Sequence, residues 1–251
     1  MNDTAKKCVL ITGACGDIGR ALCAEFNNAG FHVVGTDICK SDLGPEYKFV
    51  QWDLRRLLES DLEREKFFDE VINCYEANTL DVIVNNAAVQ ITGSTEAITT
   101  RSFQDCLNVN VVVPYVLSTL FERELGLSKG YVINISSIHA SLTKPGFFAY
   151  AASKSALDGL TRGLAIELGH KGIKVICIKP GAINTRMLAD GFKDNQDMIL
   201  QLMNYQPIGR IGMPEEIARL AVFVAKGNVD FMTGSCLGID GGISGRLHDP
   251  V

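Results

Sequence analysis

Tyr150 and Lys154 stand four residues apart in Tyr150-Ala151-Ala152-Ser153-Lys154. That spacing puts both side chains on one face of a helix. A phenol beside an ammonium can do acid–base chemistry. Alone, the phenol has a pKa of about 10, too high for a base near neutrality. A neighbouring cation favours the phenolate and lowers that value. Tyrosine–lysine pairs at this spacing are common by chance, so their surroundings decide. Ser137 lies thirteen residues upstream, at the end of an apolar run. Its hydroxyl could hold a substrate oxygen beside the phenol, although strand-end serines more often cap turns. Asn110 interrupts an apolar helical stretch and needs a partner there, because burying an unpaired amide is costly.

Positioning these groups requires strands and helices in alternation. Cys8–Ile11 is a short apolar run of the buried parallel-strand type, and Ile18–Ala29 follows as a helix stopped by Gly30. Strands are predicted at Phe31–Thr36, Phe49–Trp52, Val82–Val84, Tyr131–Ile135, Val175–Ile178 and Cys236–Ile239. Helices are predicted at Asp61–Ala77, Phe103–Glu124, Ala149–Leu168 and Glu215–Ala225, the last with Pro214 in its first turn. The pattern is α/β: one domain over residues 1–251, a Rossmann-like, doubly wound parallel sheet of about seven strands with helices on both faces. Residues 187–207 depart from it. They carry Met187, Phe192, Met198 and Tyr205 near the open edge of the site, and read as a substrate lid or as an extra buried helix.

The turn between the first strand and first helix, Thr12-Gly13-Ala14-Cys15-Gly16-Asp17-Ile18-Gly19, suits a pyrophosphate. Glycines permit close backbone approach, and the helix N-terminus offers free N–H groups. Asp37 ends the second strand, eighteen residues after Gly19. A carboxylate there can accept hydrogen bonds from ribose hydroxyls and repels a 2′-phosphate. Proteins that read the phosphate present Arg or Lys where this chain has Cys15 and Ile38, so NAD is expected.

In these motifs the chain resembles the short-chain dehydrogenase/reductase family, along nearly its whole length and in the expected order, and is similar to its 3-oxoacyl carrier-protein reductase and glucose or polyol dehydrogenase members. The turn departs from the family's T-G-x-x-x-G-x-G at one place. Asp17 stands where the middle glycine is usual, and reads as a helix N-cap turned away from the ligand. Ile133-Asn134-Ile135-Ser136-Ser137 matches the family's serine strand. The resemblance implies hydride transfer between nicotinamide and a secondary alcohol or ketone. Tyr150 moves the hydroxyl proton, Lys154 lowers its pKa and binds the nicotinamide ribose, Ser137 orients the substrate oxygen, and Asn110 holds a relay water. It also implies cofactor contacts at Gly13, Cys15, Asp17, Ile18, Gly19, Asp37 and Ile38. Further contacts fall at Asp53 and Leu54 (adenine), Asn86 and Ala87, Tyr150 and Lys154, and Pro180, Gly181, Ile183 and Thr185 beside the nicotinamide. Related chains act on sugars, polyols, steroids, hydroxy acids and acyl-thioester ketones, commonly as homotetramers or homodimers.

The remaining composition sets limits. A net charge of −5 with scattered basic residues argues against nucleic acid. No apolar stretch reaches the length of a membrane span, and no secretory leader is visible, so a cytoplasmic location is expected. Eight cysteines without a C-x-x-C pair read as buried thiols, not metal ligands. His139 reads as a polar rim residue, His32 and His170 as surface or strand-edge residues, and His248 as part of a tail. Three rival functions stand beside the main one: a 3-oxoacyl thioester reductase, an epimerase or dehydratase, and a catalytically silent NAD-binding regulator. The epimerase needs a longer chain with a substrate domain. The regulator has no need of all four of Asn110, Ser137, Tyr150 and Lys154.

Overall fold

A computed structural model describes residues 6–40, 42–75, 79–192 and 195–246. Seven strands form one parallel sheet: β1 (Cys8–Thr12), β2 (His32–Asp37), β3 (Lys48–Gln51), β4 (Val82–Asn85), β5 (Tyr131–Ile135), β6 (Lys174–Pro180) and β7 (Cys236–Ile239). Their order across the sheet is β3-β2-β1-β4-β5-β6-β7. The order reverses between β1 and β4, and a crevice opens there beyond the strand ends, where open α/β sheets bind ligands.

The sheet is covered on both faces, so β1, β4 and β5 are buried at every position. Alternation divides their side chains. Leu10, Ile83, Val132 and Val175 pack with Phe67, Leu117 and Phe121 on one face. Val9, Val84, Ile133 and Ile176 pack with Phe26, Ile217 and Ala221 on the other. The second layer is built by α1 (Asp17–Asn28) and α9 (Pro214–Ala225). The first includes α2 (Asp61–Ile72), whose start is fixed by Ser60 accepting from the Glu63 N–H. The expected continuation of α2 to Ala77 stops at Ile72, and residues 76–78 lie outside the described residues.

The single long helix expected over Phe103–Glu124 is instead three helices. They are α3 (Thr100–Leu107), α4 (Val113–Leu120) and α5 (Glu122–Ser128), with a π turn at Asn108–Val112. Pro114 has no N–H to offer the Asn110 carbonyl, which breaks the regular bonding ladder at this point. Phe121, at φ −103° and ψ 17°, leaves helical geometry and makes the second break.

Next come α6 (Phe148–Gly169), carrying Tyr150 and Lys154, then α7 (Arg186–Gly191) and α8 (Gln196–Tyr205). The segment expected as a lid or a buried helix is thus two short helices. No residue of α7 is buried, and Met198, Leu200 and Tyr205 of α8 are exposed. His248 lies outside the described residues.

Candidate active site

Tyr150, Lys154 and Ser137 come together at the carboxyl end of β5. All three are buried: Tyr150 is 7% exposed, Lys154 2% and Ser137 8%. The Ser137 side chain is near enough to the Tyr150 hydroxyl to lower its pKa. The Lys154 ammonium lies 5.6 Å from the Tyr150 ring centre and donates to the Ile135 carbonyl at 2.8 Å. Ser137 is extended and caps the short turn Ile138–Ala140, its Oγ accepting from the His139 N–H at 3.2 Å. It is therefore a cap and a phenol partner at once.

Burial sets the electrostatics. It pushes the Tyr150 phenol up to about 12, against a smaller lowering by Ser137. It pulls Lys154 down to about 8. The lowering of the phenol expected from Lys154 is thus not found in this structure, because desolvation disfavours the charged form of both groups.

A second polar tier supports the first. The Ser136 hydroxyl donates to Asp158 Oδ1 at 2.7 Å, and the Lys179 ammonium lies 3.0 Å from Asp158 Oδ2. Cys177 and Cys236 bring their sulfurs to the same carboxylate, all three ligand atoms lying within 4.8 Å of one another. Cys8, Cys23, Cys106 and Cys177 are buried, as expected of the cysteines, whereas Cys39 is exposed.

Asn110 sits in the π turn, 1% exposed. Its amide is fully engaged: Oδ1 accepts from the Val89 N–H, and Nδ2 donates to the Val89 carbonyl and to Ser153 Oγ, each at 2.9 Å. Ser153 in turn donates to the Tyr150 carbonyl at 2.7 Å. The amide thus clamps the segment after β4 to α6. Ser153 was missed in the sequence because a serine inside a helix gives no sign of which neighbour it faces.

The phosphate turn is shaped for a ligand. Gly13 has φ +65°, and a Cβ on Gly19 would come within 2.0 Å of the Gly13 carbonyl oxygen, so both must be glycine. A Cβ on Gly16 would meet only ordinary contact, which fits its displacement by one place. Arg20 N–H donates to the Gly16 carbonyl and begins the helix's bonding pattern. The N–H groups of Asp17, Ile18 and Gly19 precede that pattern and lie at the positive end of the helix. Thr12, whose role the spacing did not single out, accepts from the N–H groups of both Asn86 and Ala87 at 3.0 Å. The Asn86 amide donates to the Thr12 and Gly13 carbonyls. The cradle fits a dinucleotide pyrophosphate.

Asp17 is not the N-cap of α1. Gly16 occupies that position, and Asp17 is the first helical residue. Its carboxylate accepts from the N–H of Arg186, the first residue of α7, at 2.7 Å. Thr185 caps the same helix by accepting from Leu188 N–H at 3.2 Å. The departure from the glycine pattern therefore ties the phosphate turn to α7.

Asp37 lies against the turn, its Oδ2 accepting from the Cys15 N–H at 3.0 Å and Oδ1 from the Ile38 N–H at 2.7 Å. Asp53 is engaged within its own turn. It caps Leu54–Leu58 and pairs with the Arg55 guanidinium at 2.6 Å, which holds its carboxyl below the usual range, and Leu54 is buried. Pro180 and Gly181 close β6 against β7, where a Cβ on Gly181 would come within 2.8 Å of Asp240. Ile183 is buried and bridges to Gly212.

His139 is a half-buried rim residue, its Nδ1 3.2 Å from the Thr143 hydroxyl, and it is an aromatic wall as well. Its ring stacks on Phe147 at 4.6 Å and meets Tyr150 edge-on at 5.9 Å. Burial, helped by Lys144, pulls it down to about 4, so it is neutral near pH 7. The broad cleft lined by Asn204, Gln206, Pro207, Gly242, Gly245 and Arg246 includes none of Ser137, Tyr150 and Lys154.

The family model described as enoyl-(acyl carrier protein) reductase matches residues 13–244, from the phosphate turn to beyond β7. The chain belongs to the short-chain dehydrogenase/reductase family. It is 37% identical over 173 residues to the 3-oxoacyl-[acyl-carrier-protein] reductase of Chlamydia trachomatis, covering 67% of each chain. The ligand-free aldohexose dehydrogenase of Thermoplasma acidophilum superposes with a TM-score of 0.90 at 26% identity, covering 99% of this chain and 98% of that one. ElxO with NADP bound superposes at 0.85 and 27% identity, covering 96% and 100%. Membership makes the chain an oxidoreductase of nicotinamide and a small-molecule substrate. Among the described residues no helix is long and apolar enough to cross a membrane.

Proposed function

We propose that the protein is an NAD-dependent oxidoreductase of secondary alcohols and ketones that uses Ser137, Tyr150 and Lys154. One observation carries the reading: Ser137 and Lys154 converge on the buried Tyr150, with the Lys154 ammonium 5.6 Å from its ring centre. The bound nicotinamide supplies or accepts the hydride. The phosphate turn, from Gly13 to Gly19, would hold its pyrophosphate. Ser137 would orient the substrate oxygen, and Tyr150 would give or take its proton. Lys154 would favour the phenolate and hold the nicotinamide ribose. Asn110 acts as a positioning residue through Val89 and Ser153. The exposed Met187 of α7 and Met198, Leu200 and Tyr205 of α8 support reading residues 187–207 as a lid over the substrate.

NAD is favoured by Asp37, a negative charge fixed beside the turn where a 2′-phosphate would lie. ElxO binds NADP, so cofactor choice is the first thing to measure. The eight free thiols support a reducing, cytoplasmic setting. Tyr115 on α4 and Ile166 on α6 are exposed, which supports a homotetramer or homodimer joined through these helices. A second reading, a 3-oxoacyl thioester reductase, is favoured by the 37% identity to the Chlamydia trachomatis enzyme.

The test is a screen of alcohols, polyols, sugars and 3-oxoacyl thioesters with NAD(H) and NADP(H), followed by nicotinamide absorbance. NAD-linked turnover of an alcohol or ketone is expected. Turnover confined to 3-oxoacyl thioesters selects the second reading. Tight NAD binding with silence across the panel overturns both and favours the regulator.

A further inference from the structure

Between Tyr150 and α7 the structure builds a floor of rings that ends in a cation. His139 lies face to face with Phe147 at 4.6 Å and edge-on to Tyr150 at 5.9 Å. Phe147 itself meets Tyr150 edge-on at 6.5 Å. At the far side of Phe147 the Lys144 ammonium sits 4.4 Å from that ring's centre and 4.9 Å from the centre of Phe192, the residue that ends α7. The floor thus joins the proton-transferring phenol to a positive charge on the loop before α6, and reaches the segment read as the lid.

No carboxylate answers that charge. Lys144 forms no salt bridge among the described residues, and partial burial alone pulls its pKa down. His139, a titratable neighbour, is neutral and is kept so partly by Lys144 itself. Ring faces attract an ammonium, but they do not neutralise it or accept its three strong hydrogen bonds. Lys144 remains solvent-accessible, so those donors are open to a ligand.

We infer that Lys144 receives a carboxylate on the substrate, so that the protein acts on short keto acids or hydroxy acids whose chain lies over His139 and Phe147. The inference rests on the reading of Tyr150 as the reacting end. The Phe147 ring fixes the reach. The ammonium and the phenol flank that one ring, so only a few carbons separate the carbonyl from the carboxylate. Phe192 bounds the cation on the side of α7.

The probes are 4-oxopentanoate, 5-oxohexanoate and 6-oxoheptanoate, each beside its neutral methyl ester, titrated calorimetrically into the cofactor-saturated enzyme. At least one keto acid is expected to bind about tenfold or more tightly than its ester, the size of a charge-assisted hydrogen bond. Lys144→Met should bring that acid to the level of its ester, and Lys144→Arg should keep the preference. Lys144 is a surface position, and unchanged melting temperatures confirm folded variants. Equal binding of acids and esters, or a preference that survives in Lys144→Met, overturns the inference. Tyr150→Phe separates it from the underlying reading: it should retain the preference for acids while losing turnover. Turnover that survives in Tyr150→Phe removes the reading of Tyr150, and with it the inferred substrate class, even if Lys144 proves to bind carboxylates.

Discussion

A phenol raised to about 12 by burial stays protonated near neutrality in the ligand-free site: it has a proton to give, and almost no phenolate is present to take one. The consequence is directional. Ketone reduction needs the protonated phenol, which is populated throughout the neutral range, whereas alcohol oxidation needs the phenolate. Oxidation should therefore climb steadily between about pH 7 and 10 while reduction stays level across the same range. Initial rates in both directions across that range check it, and a level oxidation profile would contradict it. Asp37 carries the other residue-scale expectation. In Asp37→Ala the ratio of kcat/KM for NAD over NADP should fall about ten- to a hundredfold, the value of charge-assisted hydrogen bonds to a ribose. An unchanged ratio would mean that Asp37 only braces Cys15 and Ile38. Much at this scale was legible, because Tyr150, Lys154 and Ser137 are tied by spacing. Their pKa values were not, since burial by distant elements decides them. The stacking of His139 was not legible for the same reason: its partner Phe147 becomes a stacking surface only once the loop is folded.

Elements were read well where one local rule ruled, as in β5, β7 and α9. They were read badly where a rule acted at a distance. Pro114 carried a visible signal of the break in the helix after Thr100, but the apolar run around it spoke for continuity. Asp17 is the sharper case. By local rules a carboxylate at the start of a helix caps that helix, yet its partner is the Arg186 N–H on α7. Asp17→Ala should therefore loosen α7 and leave the fold intact. Loss of a cap is worth about 1 kcal/mol, so amide exchange in residues 186–191 should quicken roughly fivefold with the melting temperature little moved. Exchange unchanged in α7 would show that Thr185 alone holds its start.

For the whole molecule, alternating strands and helices, with no linker, specified a doubly wound sheet, and seven parallel strands are found. Sequence patterns do not carry strand order or the surfaces between copies. Tyr115 and Ile166, 48% and 83% exposed on α4 and α6, are the apolar positions that assembly would cover. Ile166→Asp should shift the sedimentation of the protein to a smaller species; a wild-type protein already sedimenting as a monomer would refute the assembly. The claim on which everything else depends is that Tyr150 moves the proton during hydride transfer. The most direct measurement compares wild-type and Tyr150→Phe enzyme for turnover of an active substrate and for NAD affinity. A loss of about 10²- to 10⁴-fold in turnover is predicted, with NAD affinity within about threefold. Turnover near the wild-type level in Tyr150→Phe would contradict the account.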